Sequence, residues 1–347
     1  MSNKFYLCLP ELKKMFETTN FHDLFEEFHQ KKILIIGDVM IDTYLWGNVG
    51  RVSPEAPVPI VSGVIEENRL GGAANVALNV KAMGAVPILC SVIGEDPRGK
   101  LFLELMEEQN LSDFGLVVDD HRLTTQKTRI ISGNQHLLRV DEEMDFFLSK
   151  RIQNQFLELI DNLLESGGID AIIMQDYDKG VLAARVISEV ISLAERMMVP
   201  VLVDPKFRSF GLYKKVQLFK PNYKELTRGL QLELEKHEID KLSKAITTFQ
   251  KKQEIETLMV TLSEQGILVS RDGTYVHIPA IVRDIADVSG AGDTVISVAA
   301  LCMVSGQDAP AMAAISNLAG GQVCEKSGVV PVNAEKLLEE CLKYFKS

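Results

Sequence analysis

An aspartate that follows two glycines near the C-terminal end is the strongest chemical signal in this chain. The segment DVSGAGDTV, residues 287–295, places Gly290, Ala291 and Gly292 directly before Asp293. A long uncharged run follows, which predicts a buried helix whose first turn contains these residues. Free N–H groups and the helix dipole make such a turn a site for an anion such as phosphate, and the small side chains let it approach closely.

Asp293 is placed in this turn to act as a general base. Its carboxylate would take the proton from a hydroxyl that attacks the bound phosphate. The alternative is an ordinary glycine-rich turn in which Asp293 only starts the helix. The turn alone does not decide between the two. We treat Gly290, Ala291, Gly292 and Asp293 as the candidate catalytic residues.

A second glycine-rich segment lies at residues 70–85. Gly71 and Gly72 precede a small-residue pattern with helical apolar spacing, and Asn75 falls in its first turn. The glycine N–H groups give a ligand close access, and the Asn75 amide offers a donor and an acceptor to sugar hydroxyls. Alternatively the glycines form a turn and Asn75 caps a helix.

The two segments together resemble the two signatures of the PfkB (ribokinase-like) carbohydrate kinase family. The resemblance extends over about residues 31–335. It implies an α/β fold with a mainly parallel sheet, helices on both faces and a small β lid. It also implies a sugar acceptor, ATP as phosphate donor and Mg²⁺, and it leaves a monovalent cation open as a further ion.

Two more segments match the nucleotide side of this family. Residues 219–225 contain its N-x-x-E element, in which Asn222 and Glu225, one helical turn apart, would hold hydrated Mg²⁺ beside the phosphates. A plain helix cap at Asn222 is the alternative. The resemblance assigns nucleotide contacts to Asn222, Tyr223, Lys224, Glu225, Thr261, Ser263, Gly266 and Asn317. Ser263 departs from the family pattern, which has glycine there.

Carboxylates that follow predicted strands are candidates for sugar binding. Asp38 follows the first strand of the α/β pattern and matches a sugar-binding position of the family, and Asp176 follows a later strand. Asp42 is expected to be structural or to support the lid. With Gly71, Gly72 and Asn75, we expect Asp38 and Asp176 to contact the sugar.

Residues 37–59, 125–129 and 138–141 are similar to the D-glycero-D-manno-heptose 7-phosphate kinases of lipopolysaccharide-core and ADP-heptose synthesis, which form the 1,7-bisphosphate. A phosphorylated substrate needs cations, and the candidates are Arg51, Lys127, Arg129, Arg139, Lys179 and Arg208. We select Arg139 as the single preferred contact. Some of these kinases carry a downstream nucleotidyltransferase domain; since this chain stops at Ser347, we expect it to make the bisphosphate only.

Other functions remain as alternatives. One is another PfkB kinase, acting on ribose, fructose or a phosphosugar; the other is a non-catalytic nucleotide-binding interaction protein. Residues 94–100 fit G-x-x-x-x-G-K, but Leu101 replaces the Ser or Thr that would hold magnesium, so we reject a P-loop. A dinucleotide fingerprint at Gly290 lacks its third glycine.

Composition excludes several classes of partner. The net charge of −11, without a basic block, argues against nucleic acid and anionic membranes. The five scattered cysteines, Cys8 among them, indicate reduced thiols, and no signal peptide or membrane-length apolar run is visible. We therefore expect a cytoplasmic protein.

Strand and helix patterns alternate along residues 31–347, which predicts one kinase domain with a parallel sheet. The expected strands are 32–37, 87–93, 171–174, 200–203, 218–219 and 258–261. The expected helices are 71–84, 98–109, 150–166, 183–198, 236–252, 293–304, 309–326 and 333–346. Residues 1–30 are predicted to be an amphipathic helical extension. The β-prone segments 43–66 and 115–140 are predicted to form the lid, through which two copies pair.

Overall fold

The computed structural model of the protein describes residues 4–6, 9–133 and 135–346. The strands are β1 Lys4–Tyr6, β2 Lys32–Gly37, β3 Val39–Val52, β4 Pro59–Gly72, β5 Val86–Gly94, β6 Leu116–Asp119, β7 Gln126–Ser132, β8 Gln135–Glu142, β9 Ala171–Gln175, β10 Val201–Asp204, β11 Leu218–Phe219, β12 Thr257–Thr261, β13 Ile267–Arg271 and β14 Thr274–Ile278. The helices are α1 Leu9–Met15, α2 Phe21–Phe28, α3 Ala73–Ala82, α4 Pro97–Glu108, α5 Lys150–Glu165, α6 Ala184–Met197, α7 Tyr223–Gly229, α8 Ile239–Gln253, α9 Ala291–Val304, α10 Ala309–Val323 and α11 Ala334–Phe345.

A ten-stranded sheet forms the centre of the protein, in the order β1-β14-β13-β12-β11-β10-β9-β2-β5-β6. Its neighbours are parallel except where β13 pairs with β12 and β14. The predicted α/β fold with a mainly parallel sheet is confirmed, and the expected strands and helices are present with shifts of a few residues at their ends. The carboxyl ends of the parallel strands meet along one edge, which brings distant parts of the sequence together there.

The apolar strand sequences follow from burial on both faces of this sheet. In β2, Ile33 and Ile35 pack into one hydrophobic core, while Leu34 and Ile36 pack into the other. Successive side chains of a strand point to opposite faces, so a strand covered on both sides needs an unbroken apolar run. The side chains of α9 that follow its first turn lie in the first of these cores.

A four-stranded sheet of order β4-β3-β7-β8 projects from the domain, and we call it the lid sheet. β3 and β4 form a long antiparallel ribbon, and β7 adds to β3 in parallel. This is the small sheet expected from residues 43–66 and 115–140, with one difference. Leu116–Asp119 lies in the large sheet beside β5, not in the lid sheet.

The N-terminal segment, predicted to be a helical extension, contains the helices α1 and α2. The apolar face of α2 is buried, and the Phe16 ring stacks on Phe345 of α11 with centroids 4.4 Å apart. β1, which the sequence analysis did not identify, pairs in parallel with β14 at the edge of the large sheet. The division of the chain at residue 30 stays a prediction.

Among the described residues, no helix is long and apolar enough to cross a membrane. Cys90, Cys302, Cys324 and Cys341 are buried free thiols, as expected. Cys8 lies outside the described residues.

Candidate active site

Four acidic residues converge near the ends of strands, and all of them except Asp204 are site residues expected from the sequence. Asp38 follows β2, Asp176 follows β9, and Asp204 is the last residue of β10. Asp293 lies in the first turn of α9, which packs against β9 and β10. The parallel sheet therefore assembles one polar site from four separate segments.

The carboxylate of Asp293 accepts three side-chain hydrogen bonds. Asn75 Nδ2 donates to Oδ2 over 2.7 Å. The Tyr177 hydroxyl, at 2.7 Å, and Gln175 Nε2, at 3.1 Å, donate to Oδ1. Asp293 is 3% exposed, so these donors replace much of its lost hydration. The set holds the carboxylate in one orientation.

Burial raises the pKa of Asp293 to about 6, although the hydrogen bonds from Asn75 and Tyr177 act in the opposite direction. The charge of the nearby Asp204 carboxylate contributes to this raised pKa. At neutral pH the group is mostly ionised, yet it is a stronger base than an exposed aspartate. Both properties suit a general base.

A buried ion pair lies beside Asp293. Gln175 Nε2 also donates to Asp204 Oδ2 over 3.2 Å, and the same oxygen is 2.9 Å from Lys220 Nζ. Lys220 is 2% exposed. A Cβ atom placed on Gly292 would lie 3.5 Å from Lys220 Nζ, so an ammonium group lies directly beside the turn. It adds positive charge where the helix N-terminus already favours an anion.

The conformation of the turn requires glycine at one position. Gly290 precedes α9 with φ 79°, in the left-handed region. A Cβ atom there would be 2.9 Å from Asn75 Nδ2, so a larger residue would displace the amide that holds Asp293. Ala291 is the first helical residue, and the N–H groups of this first turn have no intrahelical acceptor. An anion can bind there.

The glycine pair has a packing role that the sequence did not reveal. A Cβ atom on Gly71 would overlap the Asp42 carboxylate, and one on Gly72 would overlap the Asp38 carbonyl oxygen. Asp42 is buried and paired with Arg129 of β7, as its expected structural role requires. The two glycines therefore allow the base of the lid sheet to pack closely against the start of α3. Ligand contact by these glycines stays a prediction.

Asp38 and Asp176 hold the loop that follows β9. Asp38 accepts N–H groups from Tyr177, Lys179 and Val181 at 2.8, 3.1 and 3.0 Å, while burial raises its pKa. Asp176 accepts the Tyr213 hydroxyl over 2.8 Å. Burial and the Asp38 charge raise the pKa of Asp176 to about 7. Sugar contact by these two carboxylates stays a prediction.

On the expected nucleotide side, Asn222 and Glu225 form a capping box at α7. Asn222 Oδ1 accepts the Glu225 N–H over 2.9 Å, and Glu225 Oε2 accepts the Asn222 N–H over 2.8 Å. Lys206 also pairs with Glu225 Oε1. The cap that the sequence left as an alternative is therefore present. Within the described residues, no group of three or more His, Cys, Asp or Glu side chains is placed to hold a metal ion.

The other expected nucleotide residues surround this cap. Thr261, the last residue of β12, forms a bridge with Asn222. Ser263 has φ 56° and Gly266 φ 88°, so Ser263 adopts a conformation that favours the glycine usual at this position. Asn317 of α10 donates to the Pro279 carbonyl over 2.9 Å.

Two neighbours of Asn222 complete this group. The Tyr223 hydroxyl donates to the Leu234 carbonyl, and Lys224 is exposed.

The preferred phosphate contact, Arg139, lies on the edge strand β8. Its side chain is 57% exposed and paired with Asp141 over 2.8 Å. Other candidate cations have partners as well: Arg129 pairs with Asp42, and Arg208 donates to the carbonyl groups of Asp145 and Asp178.

Tyr177 and Lys220 are parts of the site that were not predicted from the sequence. Each follows a strand of the large sheet, Tyr177 two residues after β9 and Lys220 directly after β11. Their position at strand ends was the available signal. The residue type alone, tyrosine or lysine, does not predict whether the side chain is buried in a site or exposed at the surface.

Comparison with known families gives one match that covers most of the chain. The model described as pfkB family carbohydrate kinase matches residues 30–336. A protein of Helicobacter pylori strain J99, named bifunctional protein HldE, is 38% identical over 307 residues, 88% of this chain. The protein of the same name from Pelobacter propionicus is 36% identical over 316 residues, 91% of this chain. The chain spans 65% and 64% of the lengths of these two relatives.

Solved structures share the fold. Phosphofructokinase-2 from Escherichia coli, in complex with potassium, superposes with a TM-score of 0.74 at 17% identity, covering 91% of this chain and 99% of its own. A ribokinase from Arabidopsis thaliana, complexed with ribose and ATP, gives 0.68 at 18% identity, covering 89% and 98%. The ribokinase-like fold expected from the sequence is confirmed, and this chain has the separate small sheet that was expected with it.

Replacement of Asp293 tests its assignment as the base. Asp293→Asn should lower kcat for phosphoryl transfer by ~10²-fold or more, because the amide cannot accept the proton. ATP affinity, measured by calorimetry, should stay near that of the unchanged protein. Asp284→Asn, at an exposed position in the preceding loop, is the control and should keep full turnover. Near-normal kcat in Asp293→Asn would remove the residue from this role.

The pH dependence tests the environment of the same group. A base must be ionised to accept a proton, so if Asp293 is the base, kcat/KM should fall as the pH drops through about 6. Tyr177→Phe removes a donor that lowers the pKa of Asp293, so the acidic limb should move to higher pH. Initial rates between about pH 5 and 8, at saturating ATP and metal, give both profiles. An unmoved limb in Tyr177→Phe would show that the hydroxyl does not tune this carboxylate.

Proposed function

Because this chain belongs to the pfkB family of carbohydrate kinases, we propose that it is an ATP-dependent heptose-phosphate kinase. Its reaction would phosphorylate the anomeric hydroxyl of D-glycero-D-manno-heptose 7-phosphate and yield the 1,7-bisphosphate. The observation that carries the kinase assignment is the buried Asp293 carboxylate at the N-terminus of α9, oriented by three donors. Phosphoryl transfer needs a base and an anion site in one place, and this turn supplies both.

The proposed reaction divides the work between the turn and the carboxylate. The sugar oxygen bonds to the terminal phosphorus of ATP, the bond from that phosphorus to ADP breaks, and the hydroxyl proton passes to Asp293. N–H groups of the α9 turn and the Lys220 ammonium stabilise negative charge on the transferred group. Asn75, Gln175 and Tyr177 keep the base oriented.

The heptose substrate is supported by the sequence of the lid and by the relatives. Residues 37–59, 125–129 and 138–141, which are similar to heptose 7-phosphate kinases, fall mainly in the strands of the lid sheet. The HldE relatives are 36–38% identical to this chain over about 90% of its length. Within ADP-heptose and lipopolysaccharide-core synthesis such a kinase would work in the cytoplasm, where ATP is available. Other PfkB sugars and a non-catalytic role are the alternatives.

We propose that the divalent metal is Mg²⁺ and that Asn222 and Glu225 hold it through water molecules. Both Glu225 oxygens already accept hydrogen bonds from protein groups, which suits an outer-sphere contact better than direct ligation. Magnesium usually keeps several waters and binds substrate phosphates, and it would neutralise their charge during transfer. A monovalent cation is a further candidate, since the phosphofructokinase-2 neighbour was solved with potassium.

We also propose a homodimer formed through the lid sheet. Leu138 and Val140 of β8 are 57% and 43% exposed, and they lie on the face opposite Arg139 and Asp141. β4 and β8 are the edges of this sheet. Exposed edges and apolar side chains on a small projecting sheet favour pairing with a second copy.

A substrate panel tests the function directly. Heptose 7-phosphate should be the best acceptor, with unphosphorylated heptose ~10- to 100-fold lower in kcat/KM because a charge-assisted phosphate contact is lost. Ribose, fructose and fructose 6-phosphate complete the panel, with ADP release as the readout. Faster turnover of ribose or fructose would reject the heptose assignment and leave a PfkB kinase of another specificity.

The metal assignment predicts a change in magnesium demand. Glu225→Gln should raise the Mg²⁺ concentration that gives half-maximal rate, because a charge that holds the hydrated ion is lost. Glu233→Gln, with an exposed carboxylate shortly after α7, is the matched control. Equal magnesium titrations for the two variants would make Glu225 a capping residue only.

The dimer proposal predicts a mass of two chains at micromolar concentration. Leu138→Asp together with Val140→Asp should yield monomers by light scattering, because charges would be buried in the interface. Val118→Asp, at a similarly exposed residue of β6, should leave the dimer intact. A monomeric unmodified protein would contradict the proposal.

A further inference from the structure

One face of the lid sheet carries charged side chains in register. Asp42 of β3 lies opposite Lys127 of β7, and Lys127 lies opposite Asp141 of β8. In the next row of the same face, Arg129 lies between Tyr44 and Arg139.

This face is directed toward the turn at residues 290–293, which begins α9. The Tyr44 hydroxyl accepts the Val329 N–H over 2.9 Å. A Cβ atom on Gly290 would lie 3.4 Å from a Val329 methyl group. The charged face therefore covers the side of the site that the sugar would enter.

Two lysines from different segments converge on one carboxylate at the border of this face. Lys179 lies in the loop after β9, and its Nζ is 2.7 Å from Glu143 Oε1. The Nζ of Lys127, in the lid sheet, is 3.8 Å from Glu143 Oε2. Lys127 is also 3.9 Å from Asp141. The two lysine side chains are only 16% and 13% exposed. Glu143 follows β8 in irregular structure and is the link between the lid sheet and the loop.

Cations outnumber carboxylates in this cluster. Lys127, Lys179 and Arg139 face two acidic groups, Asp141 and Glu143. Burial lowers the pKa of Lys127, and the charges of Lys179 and Arg139 lower it further, although both carboxylates oppose the shift. A dianion would balance this cluster better than the single carboxylate of Glu143 does.

The lysine cluster also lies close in the chain to the residues that contact Asp293. Tyr177, whose hydroxyl contacts Asp293, precedes Lys179 by two residues, a backbone span of at most ~7 Å. The Lys179 N–H donates to Asp38, so the loop that carries it is fixed to the end of β2. A sugar with its acceptor hydroxyl at Asp293 would thus extend its far end toward the two lysines.

We propose that Lys127 and Lys179 bind the distal phosphate of the sugar phosphate, and that Glu143 occupies this place in the free protein and leaves when the substrate binds. The assignment rests on the proposed function, since it requires a phosphorylated sugar acceptor. Arg139, more exposed, contributes from the rim of the cluster. Arg129 takes no part, because it is committed to the buried Asp42.

The test compares one sugar with and without its phosphate. Lys127→Met and Lys179→Met keep most of the aliphatic stem and remove the charge. Each should raise KM for heptose 7-phosphate by ~10-fold or more, while kcat/KM for unphosphorylated heptose and KM for ATP change little. Lys214→Met, at an exposed lysine in the loop before β11, is the matched control and should change neither.

Glu143→Gln separates phosphate binding from a structural role of the cluster. Removal of the competing carboxylate should lower KM for heptose 7-phosphate or leave it unchanged, with no gain for the unphosphorylated sugar. Equal losses on both sugars in the lysine variants, or a higher KM in Glu143→Gln, would overturn the proposal. If the unmodified protein prefers an unphosphorylated sugar, the proposed function fails as well; if it prefers heptose 7-phosphate but the lysine variants keep that preference, only the lysine assignment fails.

Discussion

The buried charge of Asp293 is the constraint on which the rest of the site depends. A carboxylate that is 3% exposed stays ionised near neutral pH only if donors replace its lost hydration. Those donors come from α3 and from the end of β9, which are far apart in the sequence. Gln175 extends the arrangement to Asp204 and Lys220, which balance each other's charge. The parallel sheet is needed because it brings all of these segments to one edge.

Patterns within single segments predicted much of this fold. The apolar run of β2 follows from burial on both faces, and the uncharged run after the glycine-rich turn correctly indicated the buried helix α9 with Asp293 in its first turn. The role of Gly71 was different, since its close neighbour is Asp42 on another strand of the lid sheet. Tyr177 and Lys220 were missed for the same reason, because their partners are distant in sequence. β1 was missed because three residues show no periodicity that distinguishes a strand from a loop.

Asn222 and Glu225 show how one spacing serves two purposes. Residues three apart at a helix start can close a capping box, and the same spacing directs both side chains toward a neighbouring ligand. The structure contains the cap, with Lys206 as an additional partner of Glu225. A cap of this kind fixes the orientation of the side chains, so it is compatible with a water-mediated contact. Sequence alone could not separate these roles because both need the same two residue types.

The way in which the lid sheet joins the domain has a mechanical consequence. Asp38 alone separates the end of β2 from the start of β3. β4 ends at Gly72, and α3 begins at the next residue. The lid ribbon is therefore a lever whose fulcrum lies beside the candidate catalytic residues. β3 has 14 residues and would be ~45 Å long if straight. A rotation of ~10° about Asp38 would move its far end by ~8 Å, while groups within ~5 Å of the fulcrum would shift by less than ~1 Å. Movements at the distal end of the ribbon would thus be reduced in amplitude near Asp38, and the candidate catalytic groups would keep their alignment while the entrance changes width.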